Sequence, residues 1–182
     1  PDDSVVYDLH TPFGAPLRLD CALTYRLPAG SSAALAPAKR VKRELTTAEW
    51  QQILDSAWTQ AGIPHIVFTG GEATLRDDLP GLIAHAEKNG QVTGLLSSGG
   101  RLGDRNYLQQ LRQAGLDHLL ILVDPGGKDG WKALETAMPE DIFVTAHLGF
   151  NRKKLAKAGE AFQRLAGLGV RSLSLGLADP AS

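Results

Sequence analysis

The sequence reads Thr69-Gly70-Gly71-Glu72-Ala73-Thr74-Leu75-Arg76 directly after an apolar run over residues 63–68. A helical pattern begins soon afterwards, near Asp77. This succession of apolar run, glycine pair and helix predicts a strand that ends in a loop. Because glycine has no side chain, the backbone of such a loop can approach a ligand closely.

The same succession of apolar run, turn and helix repeats along the chain. Glycine, or proline soon after, closes most of the predicted helices, and a capping box over residues 46–49 begins the first of them. Most of the runs are almost continuously apolar, as is typical of parallel strands that are covered on their outer face. The predicted strands cover residues 17–25, 65–69, 92–96, 118–123, 142–148 and 172–177.

Alternating strands and helices predict an α/β fold, either a barrel or an open sheet. A closed barrel of eight units needs about 250 residues, whereas this chain has 182. We therefore predict a single domain over residues 1–182 with a partial (βα)6 barrel of the TIM type, in which residues 1–16 form a hairpin-like extension. The alternative is an open, flavodoxin-like parallel sheet. In both folds, ligands bind at the carboxyl ends of the strands.

Composition excludes several classes of function. The formal net charge of -1 gives no reason to expect nucleic acid or an acidic membrane surface as a partner. No apolar run approaches the ~20 residues that span a bilayer, and no signal peptide is visible, so we expect a cytoplasmic protein. Cys21 is the only cysteine, which excludes an intrachain disulfide. The only methionine is Met138, which suggests a trimmed chain or a fragment of a longer one.

Residues 17–124 resemble the radical S-adenosylmethionine (SAM) family. The match is most specific at residues 69–76, where the family often has TGGEPTLR and Ala73 replaces the proline. Residues 23–26 resemble the strand end that leads into the CxxxCxxC motif of the family, and residues 37–40 resemble the segment after it. This alignment puts the three cluster-ligand positions at Leu27, Ser31 and Ala34, within a loop over residues 26–45. A second alignment, which starts the motif at Cys21, needs thiolates at Tyr25 and Pro28 and fails as well.

The resemblance implies a [4Fe–4S] cluster that is held by three thiolates, with SAM on the fourth iron. Leucine and alanine side chains cannot donate to iron, and a neutral serine hydroxyl is a poor substitute for a thiolate. We therefore expect these three positions to hold no cluster and no other metal. We also expect that this chain alone does not cleave SAM reductively.

Part of the SAM site remains recognisable. The resemblance assigns Gly70, Gly71 and Glu72 to the turn that contacts the amino group of SAM, although Glu72 also precedes a helix, whose dipole favours its charge. The remaining polar candidates lie near the ends of strands. Each has two interpretations: a ligand contact, or a structural role as a turn cap, a loop hydrogen-bonding group or a core residue. The candidate cofactor-binding residues are Thr69, Gly70, Gly71, Glu72, Ser97, Ser98, Asp124 and His147.

These observations predict a non-catalytic binding or accessory domain that retains weak binding of SAM or another small molecule. Its expected partner is an intact radical SAM homologue or another protein. One alternative is a radical SAM enzyme whose cluster is supplied or completed by a partner. Another is a non-radical enzyme that uses Glu72, Asp124 and His147, and a third is a purely structural docking domain. No catalytic residue is identified.

Overall fold

The computed structural model describes residues 9–10, 16–17, 44–149 and 155–176. Two short strands, β1 (Leu9–His10) and β2 (Pro16–Leu17), pair in antiparallel orientation. Five longer strands follow: β3 (His65–Phe68), β4 (Val92–Ser97), β5 (Leu116–Val123), β6 (Phe143–Gly149) and β7 (Ser172–Gly176). The helices are α1 (Thr47–Thr59), α2 (Leu79–Lys88), α3 (Arg105–Gln113), α4 (Asp129–Ala137) and α5 (Ala158–Gly167).

The five longer strands form one parallel sheet in the order β3-β4-β5-β6-β7. Right-handed crossovers between strands that follow one another in sequence place every connecting helix on the same face of the sheet. A flavodoxin-like sheet instead reverses its strand order and has helices on both faces. The predicted α/β fold is confirmed, and the order of the described strands is that of the partial barrel. The strand predicted over residues 17–25 lies outside the described residues, except for Leu17.

The start of α1 follows the predicted capping box. The Thr46 hydroxyl oxygen accepts from the backbone N–H of Glu49 at 3.3 Å, and the Glu49 carboxylate accepts from the backbone N–H of Thr46 at 2.8 Å. These two bonds satisfy donors that the first turn of a helix leaves without intrahelical partners. Local sequence alone therefore determines where this helix begins.

The hydrophobic core lies between the sheet and its helices. The outward side chains of the central strands are fully buried there, as Leu119, Ile121 and Leu148 show. They pack with equally buried side chains on the helices, such as Ile83 and Leu134. The inward side chains of the same strands are only partly buried. The inner face of the described sheet is therefore less completely covered than its outer face.

Helix α4 approaches the sheet more closely than a helix with a side chain at Gly130 could. A Cβ atom added to Gly130 would overlap the carbonyl oxygen of Leu122 and lie 3.1 Å from the Cα atom of Val123. The next residue, Trp131, is 2% exposed and donates its indole N–H to the carbonyl of Asp124 at 3.1 Å. This contact fixes the loop after β5. No helix among the described residues is long and apolar enough to cross a membrane.

Candidate functional site

The Glu72 carboxylate joins the turn after β3 to the turn after β4. One oxygen accepts from the Ser97 hydroxyl at 2.7 Å and from the Thr74 hydroxyl and N–H at 2.7 and 3.3 Å. The other accepts from the Ser98 N–H at 2.8 Å and from the Ser98 hydroxyl at 2.6 Å. Two carboxylate oxygens offer about four lone-pair sites, so these bonds use the hydrogen-bonding capacity of Glu72. The carboxylate holds the two turns together.

The protonation state of Glu72 follows from these contacts. Burial raises the pKa of the Glu72 carboxyl, but the hydrogen bonds from Ser98, Thr74 and Ser97 together outweigh burial. The pKa therefore lies below its ordinary value, because each donor stabilises the charged form. Glu72 is a carboxylate throughout the neutral range.

A second group of contacts fixes the other end of the turn after β3. The Arg101 guanidinium donates to the carbonyl of Thr74 at 2.7 Å and lies 4.0 Å from the centre of the Tyr107 ring. The Tyr107 hydroxyl donates to the same carbonyl at 3.3 Å. Thr74 is fully buried and lies in the middle of a short 3-10 segment, Ala73–Leu75. The contacts of Arg101 and Tyr107 therefore hold this segment in place.

The turn after β4 packs closely against α4. Gly99 has a φ of 94°, a conformation that favours glycine. A Cβ atom there would lie 2.8 Å from the Cβ of Ala133 and 2.9 Å from the carbonyl oxygen of Asp129. The backbone N–H of Gly99 also donates to the Ser97 hydroxyl oxygen at 3.0 Å. Ser97 therefore connects Glu72 to a turn that has little freedom to move.

Asp124 follows β5 and organises its own loop. Its carboxylate accepts from the backbone N–H of Gly126 at 3.1 Å, and its carbonyl accepts from Trp131. Loop hydrogen bonding was the alternative to ligand binding for Asp124, and these contacts are of that kind.

His147 lies on the inner face of β6, together with Thr145. Its Nδ1 atom is 3.0 Å from the Ser174 hydroxyl oxygen on β7. The Thr145 hydroxyl donates to the Ser172 hydroxyl oxygen at 2.9 Å. Burial lowers the pKa of His147 below its ordinary value, so the imidazole is uncharged near neutral pH.

The structure thus brings Glu72, Ser97 and Ser98 together and places His147 two strands away from β4. Whether these residues bind a cofactor stays a prediction. Sequence reasoning missed the side chains that contact them: Thr74, Arg101, Tyr107, Ser172 and Ser174. For Ser172 and Ser174 a signal existed, since they alternate along a strand and must share one face with each other.

The cluster-ligand positions Leu27, Ser31 and Ala34 lie outside the described residues, as does Cys21. Within the described part of the chain, no three histidine, cysteine, aspartate or glutamate side chains are arranged to hold a metal ion. With one cysteine in its sequence, this chain does not supply the three thiolates that a [4Fe–4S] cluster of this kind needs.

Comparison with known proteins identifies the family. Residues 21–143 match the family model described as the radical SAM superfamily. A PqqA peptide cyclase from Xanthomonas oryzae pv. oryzae is 35% identical over 130 residues, which cover 69% of this chain and 34% of that protein. A PqqA peptide cyclase from Xanthomonas campestris pv. campestris is 37% identical over 119 residues, with 63% and 31% coverage. The chain spans about a third of the length of these relatives.

A solved structure of TYW1 with a lysine-pyruvate adduct bound is also similar. It has 18% sequence identity and a TM-score of 0.48, and the match covers 74% of this chain and 53% of TYW1.

These comparisons correct two expectations from the sequence. The expectation of a non-catalytic accessory domain is wrong, because the relatives are named as peptide cyclases, which are enzymes. The expectation that no [4Fe–4S] cluster takes part is contradicted by the match to a family that uses SAM and such a cluster. Both errors have one physical cause. The side chains at Leu27, Ser31 and Ala34 show which atoms do not bind iron, but they do not show whether other thiolates do.

Proposed function

Because this chain belongs to the radical SAM superfamily, we propose that it forms the SAM-binding barrel of a radical SAM enzyme that modifies a peptide. The observation that carries this proposal is the glycine-rich turn after β3, which the Glu72 carboxylate fixes against the turn after β4. It lies at the carboxyl end of a parallel sheet, where such folds bind ligands. A rigid turn of this kind holds a ligand in one orientation.

The peptide substrate is proposed from the names of the relatives, the PqqA peptide cyclases. The partly exposed side chains on the inner face of the described sheet support it, since a peptide needs a surface next to SAM. Among the described residues, Glu72 keeps the turn after β3 in place and His147 faces the space in which a substrate would lie.

The thiolates for the cluster come from outside the given sequence under this proposal, either from a partner protein or from another part of a longer protein. The donor atoms present in this chain do not fit the cluster. This chain would bind and orient SAM and the peptide.

Restoring the missing thiolates tests the proposal directly. We expect the triple variant Leu27→Cys, Ser31→Cys, Ala34→Cys to take up iron and sulfide under anaerobic conditions and to become brown, because it regains the CxxxCxxC spacing. With dithionite as the reductant, this variant should release methionine from SAM. Iron analysis and chromatography of the released methionine measure the two steps separately.

A variant with only Leu27→Cys and Ser31→Cys is the matched control, since an incomplete ligand set should hold no stable cluster. If the triple variant holds a full cluster but neither binds SAM in calorimetry nor cleaves it, the barrel is not a SAM-binding barrel and the proposal is wrong.

A further inference from the structure

Polar side chains form a strip on the inner face of β6 and β7. The strip consists of two hydrogen-bonded pairs, Thr145 with Ser172 at 2.9 Å and His147 with Ser174 at 3.0 Å. Both pairs join residues of adjacent strands, and all four side chains are partly exposed. The strip is therefore accessible to a ligand on the inner face of the described sheet.

One atom of the strip is available to a ligand. Nδ1 of His147 contacts Ser174, whereas Nε2 makes no hydrogen bond within the described part of the chain. The Nε2 atom points past Gly176, where an added Cβ would lie only 3.0 Å away. Glycine at that position leaves room beside Nε2, in which a hydrogen-bonding group of a ligand fits.

The inner face carries no formal charge within the described strands. Its inward positions on β3 to β7 hold no aspartate, glutamate, lysine or arginine. On β3 to β5 they are mainly apolar, as at Val67, Leu96 and Leu122, and on β6 and β7 they are mainly polar. A charged group in this space would lose hydration without gaining an opposite charge from these strands, which is costly. An uncharged group would not meet that cost.

We propose that the strip of Thr145, His147, Ser172 and Ser174 binds an uncharged hydrogen-bonding group of the peptide substrate, an amide or a hydroxyl. The Nε2 atom of His147 makes the direct contact, and Ser174 fixes the orientation of the ring. This inference deepens the proposed function and rests on it, because it assigns a substrate class to the same barrel.

The position of the strip fits a substrate site beside the turn that Glu72 organises. His147 pairs with Leu122, and Ser97 pairs with the neighbouring Ile121, so His147 and Ser98 lie at almost the same level of the sheet. Two strand spacings separate β4 from β6, which amounts to about 10 Å. A ligand at the turn and a group at the strip are thus neighbours without overlapping.

Two capped tripeptides that differ only in charge test this assignment. Acetyl-Leu-Asn-Leu-amide and acetyl-Leu-Asp-Leu-amide have the same shape, and we expect the asparagine peptide to bind at least ~10-fold more tightly near neutral pH, because only the aspartate must be desolvated as an ion. Affinity is measured by NMR on the imidazole Cε1–H signal of His147 in the full chain. The signal of His85, which lies on α2 with its Nε2 atom 2.6 Å from the Asp55 carboxylate, serves as an internal reference.

Variants identify the contacting atom. His147→Phe keeps a ring but removes both nitrogens, and it should lower the affinity for the asparagine peptide at least ~10-fold. Ser174→Ala should lower this affinity a few-fold, because the imidazole ring loses its hydrogen-bond partner. For these variants, calorimetry replaces the histidine signal. His85→Phe, on α2 and therefore on the helix side of the sheet, is the control and should leave affinity unchanged. Equal affinity for the two peptides, or full affinity in a folded His147→Phe variant, would overturn the assignment.

The test is independent of SAM chemistry, because peptide binding requires neither cluster nor SAM. If the asparagine peptide binds as expected but the triple cysteine variant fails to cleave SAM, the strip stands as a binding site and the proposed function fails. If SAM is cleaved but neither peptide contacts His147, the strip alone is wrong.

Discussion

Gly130→Ala is expected to lower the free energy of unfolding by about 1–3 kcal/mol, the usual cost of forcing an extra methyl group into a packed core. The added Cβ would overlap the carbonyl oxygen of Leu122 and lie 3.1 Å from the Cα atom of Val123. Both atoms belong to the backbone of a central strand, so neither can move without disturbing the sheet. Because Gly130 is the second residue of α4, the gain of about 1 kcal/mol that alanine brings to a helix interior does not apply to it in full. Urea unfolding followed by circular dichroism measures the difference.

Gly81→Ala is the matched control because Gly81 also lies in a helix, α2, but is exposed and has no atom within 4 Å of an added Cβ. It should stabilise the protein by about 0.5–1 kcal/mol. If both variants were stabilised equally, the close approach of α4 to β5 would not exist as described.

The regular parts of this fold were predictable because their causes are local. The glycine pair after residues 65–68 and the capping box at Thr46 and Glu49 act within a few residues, and the structure has a strand end and a helix start there. The alternation of strands and helices predicted a parallel sheet, but it left the strand order open between a partial barrel and a flavodoxin-like sheet. The ends of β3 to β7 agree with the sequence prediction to within two residues.

The contacts of the site were not predictable in the same way. Asp78 directly precedes α2, but its side chain makes no cap hydrogen bond and instead accepts from Arg76 at 2.8 and 2.9 Å and from Thr47 at 2.6 Å. Glu72 was considered as a ligand group or a favourable charge ahead of a helix, whereas it binds Ser97 and Ser98 from the next strand. Such choices depend on which side chains the sheet brings together, and a single sequence does not show this.

Glu72→Gln is expected to lower the free energy of unfolding by about 1–3 kcal/mol, the cost of leaving a partly buried donor without its acceptor. An amide offers one oxygen and one NH2 group, so one side of the side chain would direct a donor at another donor. The hydroxyls of Thr74, Ser97 and Ser98 can rotate and accept, but the backbone N–H groups of Thr74 and Ser98, which donate to different carboxylate oxygens, cannot both meet the one amide oxygen. Chemical unfolding near neutral pH measures the loss, and amide exchange at Ser98 shows whether the two turns separate.

The pH dependence of the same variant provides a second measurement. Because the pKa of Glu72 is lower in the folded chain, its stabilising contribution is fully present above the unfolded-state value, about 4.3 for glutamate, and is lost as the pH falls through the lower folded value. Glu72→Gln should remove this part of the acid dependence. Glu160→Gln, at an exposed position in the first turn of α5, should change stability by no more than about 0.5 kcal/mol and leave the acid dependence as it is. Parallel acid profiles for Glu72→Gln and the unaltered chain would mean that the carboxylate does not join the two turns.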